Sequence, residues 1–152
     1  MRAVLQRVSS ARVIVNSEIV GSIGRGILAL VGVAEGDTEA DAAYIAAKIA
    51  DLRLFTDEEE SDDTVERSLS EIDGAALIVS QFTLLGDARK GRRPSWSRAA
   101  RPDEARVLYE RVVALLRERG IQAETGTFRA HMQVESTNEG PITVLLDSSK
   151  LF

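Results

Sequence analysis

The chain has 152 residues, of which 44% are hydrophobic and 28% charged, and its net charge is −5. This composition is typical of a globular protein and fits one domain spanning residues 1–152. The lack of cysteine excludes disulfides and thiol chemistry, the single His131 cannot build a metal site, and the acidic balance argues against bulk nucleic-acid binding. Without a long apolar run or a signal sequence, the chain is predicted to be cytoplasmic with no membrane partner.

The N-terminal third predicts strands followed by a helix. Alternating or continuous apolar residues indicate strands at Arg2–Ser9, Ala11–Val15, Ile19–Ile23 and Ile27–Val33. A capping-box pattern at Thr38 and Asp41 starts a helix whose apolar residues recur at helical spacing from Ala42 to Leu52. Arg7 is a cation on an otherwise apolar strand. Most such residues face solvent, and a specific partner for Arg7 needs other support.

The middle of the chain alternates between apolar and strongly charged stretches. Leu52–Phe55 predicts a short strand, and the acidic run Asp57–Asp63 predicts a solvated loop. Ala75–Val79 predicts a buried strand that ends abruptly in the sequence Ser80–Leu84. Small polar groups at a strand end either terminate the strand or place hydroxyls and amides in a cleft, and the pattern alone supports both interpretations.

Basic residues are concentrated in residues 89–101, although the chain as a whole is acidic. The run includes Lys90, Arg92 and Arg93 and contains the chain's tryptophan, Trp96. Cations beside a flat aromatic side chain suit a phosphate backbone and a stackable base. A solvated loop that balances the acidic run is the alternative interpretation.

The C-terminal third predicts a second helix and further strands. Acidic residues after Pro102 start the helix, apolar residues recur at helical spacing to Leu116, and Gly120 ends it. A strand follows at Gln122–Thr125. Helices interleaved with strands, and hairpins at both ends of the chain, predict a single-domain α/β fold. Its mixed, barrel-like β-sheet has both helices packed on one face.

Residues 137–143 read Thr-Asn-Glu-Gly-Pro-Ile-Thr and lie between two β-type runs, which predicts a turn joining two strands. Gly140 gives the backbone freedom, and Pro141 is the residue type that readily permits a cis peptide bond. The stretch alone favours an ordinary tight turn. A cis bond would instead fix two carbonyl oxygens as rigid hydrogen-bond acceptors.

No standard catalytic set is present in the sequence. It has no G-x-S-x-G elbow, phosphate loop or dinucleotide fingerprint, and His131 lacks an obvious serine–histidine–acid arrangement. What remains is a site built from backbone groups, small hydroxyls and an amide. Such a site can stabilise an oxyanion on an already activated substrate, and no metal or other cofactor is predicted.

Several short motifs together resemble the D-aminoacyl-tRNA deacylase family. The signature motifs are Ser80–Leu84 and Asn138–Thr143, accompanied in the family's order by Gln6–Val8, Lys90–Ser95, and Phe128 with residues 130–132. The resemblance covers essentially the whole chain. It implies a homodimeric, tRNA-binding hydrolase that proofreads translation by cleaving the ester between a D-amino acid and the 3′-terminal adenosine of tRNA. Glycyl-tRNA mischarged on tRNA-Ala is a further expected substrate.

The resemblance also implies roles for individual residues. A cis Gly140–Pro141 turn would enter the partner subunit's site and leave no room for an L side chain, and Arg7 would fix that turn through a carbonyl. The substrate-binding residues are then Arg7, Phe128, Ala130, Met132, Asn138, Gly140 and Pro141. The catalytic residues are Ser80, Gln81, Phe82 and Thr83, and the tRNA-binding residues are Lys90, Arg92 and Arg93.

Two mechanisms and three classes of function remain open at this point. Thr83 as a nucleophile needs a nearby base, which the sequence does not supply, so assistance by the substrate's ribose 2′-hydroxyl is favoured. A non-catalytic tRNA-end or nucleotide-binding module is one alternative to an enzyme. A dimer whose Gly-Pro turn only serves packing is another.

The chain departs from the family pattern at two places. Arg129 stands where the family usually has glycine, beside Phe128, so this departure bears on the shape of the adenosine pocket. Glu60–Arg67 lacks the family's usual turn sequence. The second departure concerns the local loop more than the chemistry.

Overall fold

The fold is organised around one long N-terminal strand. A computed structural model describes residues 1–56 and 66–151, with the backbone alone at Glu66. The predicted solvated loop at Asp57–Asp63 lies outside the described residues. The strands are β1 (Arg2–Val15), β2 (Glu18–Ile23), β3 (Gly26–Gly32), β4 (Arg53–Thr56), β5 (Glu66–Ser68), β6 (Ala75–Ser80), β7 (Gln122–Thr125) and β8 (Gln133–Asp147). The helices are α1 (Glu39–Asp51) and α2 (Pro102–Glu118), and a 3₁₀ helix spans Phe82–Leu85.

The main sheet is mixed, as predicted, with the order β2-β1-β3-β6-β7 and with β8 also paired to β1. β1 pairs antiparallel with β2, β3 and β8, whereas β3, β6 and β7 run parallel. The prediction of two strands within β1 was wrong. β1 pairs with β3 up to Val8 and with β2 from Ala11. The alternating pattern is therefore interrupted where the strand beside β1 changes from β3 to β2, although β1 itself continues.

The sheet curls until β2 approaches β7. A Cβ atom built on Gly21 would lie 2.3 Å from the carbonyl oxygen of Thr125, so only glycine permits this approach. The concave side encloses a small apolar cluster that includes Val8, Val13 and Leu77. This curvature confirms the predicted barrel-like arrangement.

Both helices pack on the other face of the sheet, as predicted. Ile45 of α1 and Leu116 of α2 are fully buried in one cluster with Leu5 of β1 and Ile78 of β6. Burying one such side chain contributes roughly 1.5–3 kcal/mol. The backbone N–H of Thr38 donates to the Asp41 carboxylate at 2.8 Å, which forms part of the capping box predicted at the start of α1.

The stretch from Thr137 to Thr143 does not join two strands, and the prediction of a hairpin there was wrong. The flanking residues belong to one strand, β8, and both flanks run antiparallel to β1. Gln6 pairs with Thr143 and Val8 pairs with Asn138, so residues 139–142 all stand opposite Arg7. The Gly-Pro sequence signals a break in regular pairing, and β1 continues as the partner on both sides of it. The result is a wide bulge, here called the Gly-Pro bulge (residues 139–142).

Candidate active site

A cleft of about 680 Å³ opens where β6 ends, between the 3₁₀ helix, the start of α2 and the segment before β8. It is lined by six of the residues predicted for the site: Ser80, Gln81, Phe82, Phe128, Ala130 and Met132. These residues come from two stretches that are far apart in the sequence. The fold therefore brings the strand-end motif against the predicted adenosine-binding residues.

The end of β6 is fixed by close backbone packing. Ser80 pairs with Val31, and the Gln81 N–H donates to the Val31 carbonyl at 2.7 Å. A Cβ atom on Gly32 would lie 2.8 Å from the Gln81 carbonyl oxygen, so glycine is needed for this approach. Ser80 and Gln81 thus sit on rigid backbone at the cleft wall.

Thr83 differs from the other three predicted catalytic residues because it does not line the cleft. Its side-chain oxygen accepts a hydrogen bond from the Gln81 amide, Nε2 to Oγ1. An amide N–H donor cannot take a proton from the hydroxyl. The contact therefore orients Gln81 and Thr83 relative to each other and gives Thr83 no base.

The Phe128 wall of the cleft is supported from behind by α2. The Tyr109 ring centroid lies 5.8 Å from that of Phe128, and the Arg106 guanidinium lies 5.5 Å from the Phe128 centroid. The Tyr109 hydroxyl donates to the Ile78 carbonyl at 2.8 Å, and burial raises the pKa of Tyr109 to about 12. Tyr109 thus ties α2 to β6 directly beneath the cleft.

Arg129 has a backbone conformation that suits glycine. Its φ is 64°, in the left-handed region that L side chains rarely adopt. Although this position departs from the family's glycine, its backbone keeps a conformation that glycine readily adopts. It adds an exposed cation to the cleft wall.

The Gly-Pro bulge is built mainly from backbone groups. Arg7 donates to the Glu139 carbonyl at 3.3 Å through Nε and to the Leu54 carbonyl at 2.6 Å through Nη1. The Asn138 side chain accepts from the Ile142 N–H at 3.1 Å and donates to Thr143 at 3.0 Å. The Gly140–Pro141 peptide bond is cis, and both residues are exposed.

The structure separates this bulge from the cleft of the same chain. The described residues that line the cleft do not include Arg7, Asn138, Gly140 or Pro141. Within one chain, the predicted substrate-binding residues therefore form two groups.

The basic loop, residues 87–95, is closed at its base by two backbone hydrogen bonds between Asp87 and Ser95, at 2.7 and 2.9 Å. Hydrogen bonds from Arg89 hold the pKa of the Asp87 carboxyl well below its usual range. Lys90, Arg92 and Arg93 are exposed and lie outside the cleft wall. The loop leads directly into Trp96, which does line the cleft.

Sequence reasoning did not assign Trp96, Arg101 or His131 to the cleft, although all three line it. The one available signal was Trp96 beside the basic run. No group of three or more potential metal ligands occurs among the residues that the structure describes. No helix in the described part of the chain is long and apolar enough to span a membrane.

Comparison with known proteins gives consistent matches along the chain. The family model described as D-Tyr-tRNA(Tyr) deacylase matches residues 4–147. A D-aminoacyl-tRNA deacylase of Thermotoga petrophila is 56% identical over 152 residues, with all of both chains covered. One of Thermus aquaticus is 55% identical over 150 residues, covering 99% of this chain and 97% of the relative.

Solved structures match the fold over nearly its whole length. The c-Myc DNA unwinding element binding protein superposes with a TM-score of 0.87 at 35% identity, covering 97% of this chain and 98% of the other. A probable eukaryotic D-amino acid tRNA deacylase gives a TM-score of 0.82 at 21% identity, covering 95% and 97% of the two chains. At that lower identity the match concerns the fold alone.

Proposed function

The chain belongs to the D-Tyr-tRNA(Tyr) deacylase family, and from this premise we propose that it hydrolyses the ester bond of D-aminoacyl-tRNA. The products are the free D-amino acid and tRNA, and glycyl-tRNA mischarged on tRNA-Ala is a second substrate. The observation that carries the proposal is the cleft, which joins the Ser80–Phe82 strand end to Phe128 and Met132. We place this activity in the cytoplasm, where charged tRNA is used.

The cleft has the parts needed to bind an aminoacylated adenosine. Phe128 and Met132 supply apolar surface for the nucleoside, and Ala130 leaves room between them. The Ser80 hydroxyl and the Gln81 amide supply hydrogen-bond donors for the ester carbonyl, whose oxygen gains negative charge during attack. Because their backbone is fixed against Val31 and Gly32, these donors need little rearrangement during the reaction.

Selection against L-amino acids is assigned to the Gly-Pro bulge of a second subunit. The bulge is exposed, and Arg7 and Asn138 hold its backbone in place. Carbonyl oxygens presented in this way can accept from the substrate's ammonium while a crowded wall excludes an L side chain. β8 also exposes Leu145 and Val134, at 60% and 38%, which gives a homodimer apolar surface to bury.

Water, assisted by the ribose 2′-hydroxyl of the terminal adenosine, is the proposed nucleophile. Thr83 is exposed, accepts a hydrogen bond from Gln81, and lies outside the cleft wall. A hydroxyl whose hydrogen-bond partner among the described residues is an amide, with no base beside it there, is poorly suited to attack an ester. The protein would then act mainly by positioning the ester and stabilising its oxyanion.

The tRNA body is assigned to the basic loop. Lys90, Arg92 and Arg93 are exposed on a loop whose base borders the cleft. Their charges suit backbone phosphates, which every tRNA offers regardless of its identity.

The decisive experiment measures release of tyrosine from D- and L-tyrosyl-tRNA by the purified protein, with and without EDTA. We expect turnover of the D ester under both conditions and an intact L ester. Binding of both esters without hydrolysis would support the alternative, a non-catalytic module for tRNA ends. Equal hydrolysis of both would contradict selection by the bulge.

The same assay separates the two mechanisms. Thr83→Ala should keep most of the turnover, and Thr83→Ser is the matched control that retains the hydroxyl. A D-tyrosyl-tRNA with a 2′-deoxy terminal adenosine should react far more slowly with the wild-type enzyme. An inactive alanine variant together with a reactive deoxy substrate would identify Thr83 as the nucleophile.

A further inference from the structure

Two aromatic side chains lie exposed at the rim of the cleft. Phe82 and Trp96 are 56% and 42% exposed, and both line the cleft. Their ring centroids are 5.9 Å apart with an interplanar angle of 66°, an edge-to-face arrangement. Aromatic rings of this size contribute most to stability when they are buried, so an exposed pair at a cleft rim suggests a ligand surface.

The tryptophan is held in place before any ligand arrives. A Cβ atom on Gly86 would lie 3.1 Å from Trp96 Nε1, so the missing side chain lets the indole lie against the backbone. The Trp96 carbonyl accepts from Ala99, and Ala100 donates to the Val33 carbonyl, both at 3.0 Å. The segment that carries Trp96 is thereby fastened to the end of β3.

The charge of the cleft wall indicates an anionic ligand. Among the described residues that line the cleft are Arg101 and Arg129, both exposed, and no aspartate or glutamate. This contrasts with the net charge of −5 for the whole chain. Flat aromatic surface together with arginine is the combination that binds single-stranded nucleic acid.

The position of Trp96 indicates which nucleotide it meets. Trp96 lines the cleft, where the proposed function places the terminal adenosine. It also directly follows Ser95, where the base of the basic loop closes. Trp96 is therefore the cleft residue next in sequence to the loop that carries Lys90, Arg92 and Arg93, and an RNA strand that leaves the cleft towards this loop would pass it.

We propose that the nucleotide preceding the terminal adenosine stacks its base on Trp96, which Phe82 braces edge-on, and that the phosphate linking the two nucleotides pairs with the cleft arginines. This inference rests on the proposed function and extends it from an aminoacylated nucleoside to the single-stranded tRNA end. A stacked base interacts through its face, so the contribution should tolerate different bases.

A binding test can use the protein's own fluorescence, because Trp96 is its single tryptophan. The probes are non-hydrolysable amide analogues of D-alanyl-adenosine and of its dinucleotide form, D-alanyl-CpA. Saturating dinucleotide analogue should quench the emission strongly, and the adenosine analogue should quench it little. Equal quenching by both analogues would overturn the inference.

A kinetic test compares the corresponding esters. For the wild type, kcat/KM for the D-alanyl-CpA ester should exceed that for the D-alanyl-adenosine ester by more than tenfold, of which one stacked base contributes about tenfold. In Trp96→Ala this tenfold gain should be lost, because only the longer ester has a base to stack. Trp96→Phe should keep most of the gain. Trp96→Leu should lose it, since leucine is apolar without a flat face.

Two further variants complete the design. Arg129→Gln should lower the ratio several-fold, because only the longer ester carries the phosphate. Val107→Ala removes another exposed apolar side chain, 66% exposed on α2, and should leave the ratio unchanged. Thermal unfolding of each variant checks that it is folded.

The outcomes separate this inference from the proposed function. If the wild type cleaves both D esters equally well, or if Trp96→Leu keeps the gain, the stacking site is wrong and the deacylase activity stands. If Trp96→Ala changes the oligomeric state, the aromatic pair is a subunit contact and the inference fails. If the wild type cleaves neither D ester and also leaves D-tyrosyl-tRNA intact, the proposed function fails and the inference falls with it.

Discussion

The cleft and the Gly-Pro bulge are built in opposite ways. The cleft is concave, and side chains from β6, the 3₁₀ helix, the segment 128–132 and the start of α2 converge on it. The bulge is an exposed part of one strand, and its backbone is held by Arg7 and Asn138. The proposed function assigns binding and polarisation of the ester to the cleft, whereas the bulge offers fixed carbonyl groups on an exposed surface.

Under the proposed function, this difference implies that neither region alone suffices for chiral selection. A cleft lined by Phe128, Ala130 and Met132 recognises apolar surface, and one methylene in such a pocket is worth only about 1–3 kcal/mol. A rigid backbone wall rejects a misplaced side chain by contact and needs no specific recognition of the accepted one. In the symmetric dimer that we propose, each bulge would reach the partner's cleft, and the two regions would become halves of one site.

The largest expected effect comes from breaking the two halves in separate subunits. Gly140→Ala places a Cβ atom 2.9 Å from Arg7 Nη2 at a φ of 116°, so the bulge must move. Gln81→Ala removes a donor from the cleft. Each homodimer should lose about 100-fold or more of its activity. Co-refolded at equal amounts, the two variants should recover about a quarter of wild-type activity, because hybrid dimers contain one intact site.

Two controls make the mixing experiment decisive. Gly24→Ala adds the same methyl group where no atom lies within 4 Å, and it should remain active. Mass spectrometry confirms that hybrids have formed. Activity no greater than that of the unmixed variants, in the presence of hybrids, would mean that each chain holds a whole site.

The sequence predicted the cleft better than the bulge, for a physical reason. The spacing of apolar residues and the local composition indicate buried strands and helices, so β3, β6 and α2 were predicted close to their observed bounds. A Gly-Pro pair in a sequence indicates only that regular β-strand pairing is interrupted there. Whether the chain then turns or resumes on the same partner depends on β1, which lies far away in sequence.

Two of the residues that sequence reasoning left out share one property. Trp96 and Arg101 reach the cleft because the segment after the basic loop returns to the end of β3, where the Ala100 N–H donates to the Val33 carbonyl. No local pattern predicts such a return. His131 reaches the cleft from the segment before β8. At Arg129 the φ of 64° suits glycine, so the arginine departs from the residue type that this backbone favours.

A smaller effect is expected from the basic loop, which belongs to neither half of the site. Replacing Lys90, Arg92 and Arg93 by glutamine should weaken tRNA binding and lower the slope of log K against log salt by up to about one per charge. The loss should be similar for tRNAs of different identity, since phosphates carry no sequence. Affinity measured over a range of salt concentrations gives the slope.

Arg119 offers the matched control for the loop. It is an exposed arginine after α2 that pairs with Asp51 at 2.8 Å. Arg119→Gln should leave the salt slope unchanged. A slope unaffected by removing all three loop charges would restore the alternative of a solvated loop.

The smallest effect concerns Tyr109, which supports the cleft from behind and has no counterpart in the bulge. Burial raises the pKa of Tyr109 from 10.0 to about 12, so the folded state holds the phenolic proton more tightly than the unfolded state. The corresponding stability is fully present below about pH 10 and is lost as the pH rises towards about 12. Two pKa units amount to roughly 2–3 kcal/mol.

Tyr109→Phe separates this linkage from ordinary packing. At neutral pH the variant should lose only about 1 kcal/mol, the value of the hydrogen bond to Ile78. Between about pH 10 and 12 its free energy of unfolding, measured with urea at each pH, should fall less steeply than that of the wild type. Equal slopes for wild type and Tyr109→Phe would mean that another group governs alkaline unfolding. The contribution of Tyr109 to stability would then come from its hydrogen bond to Ile78 and not from a shifted pKa.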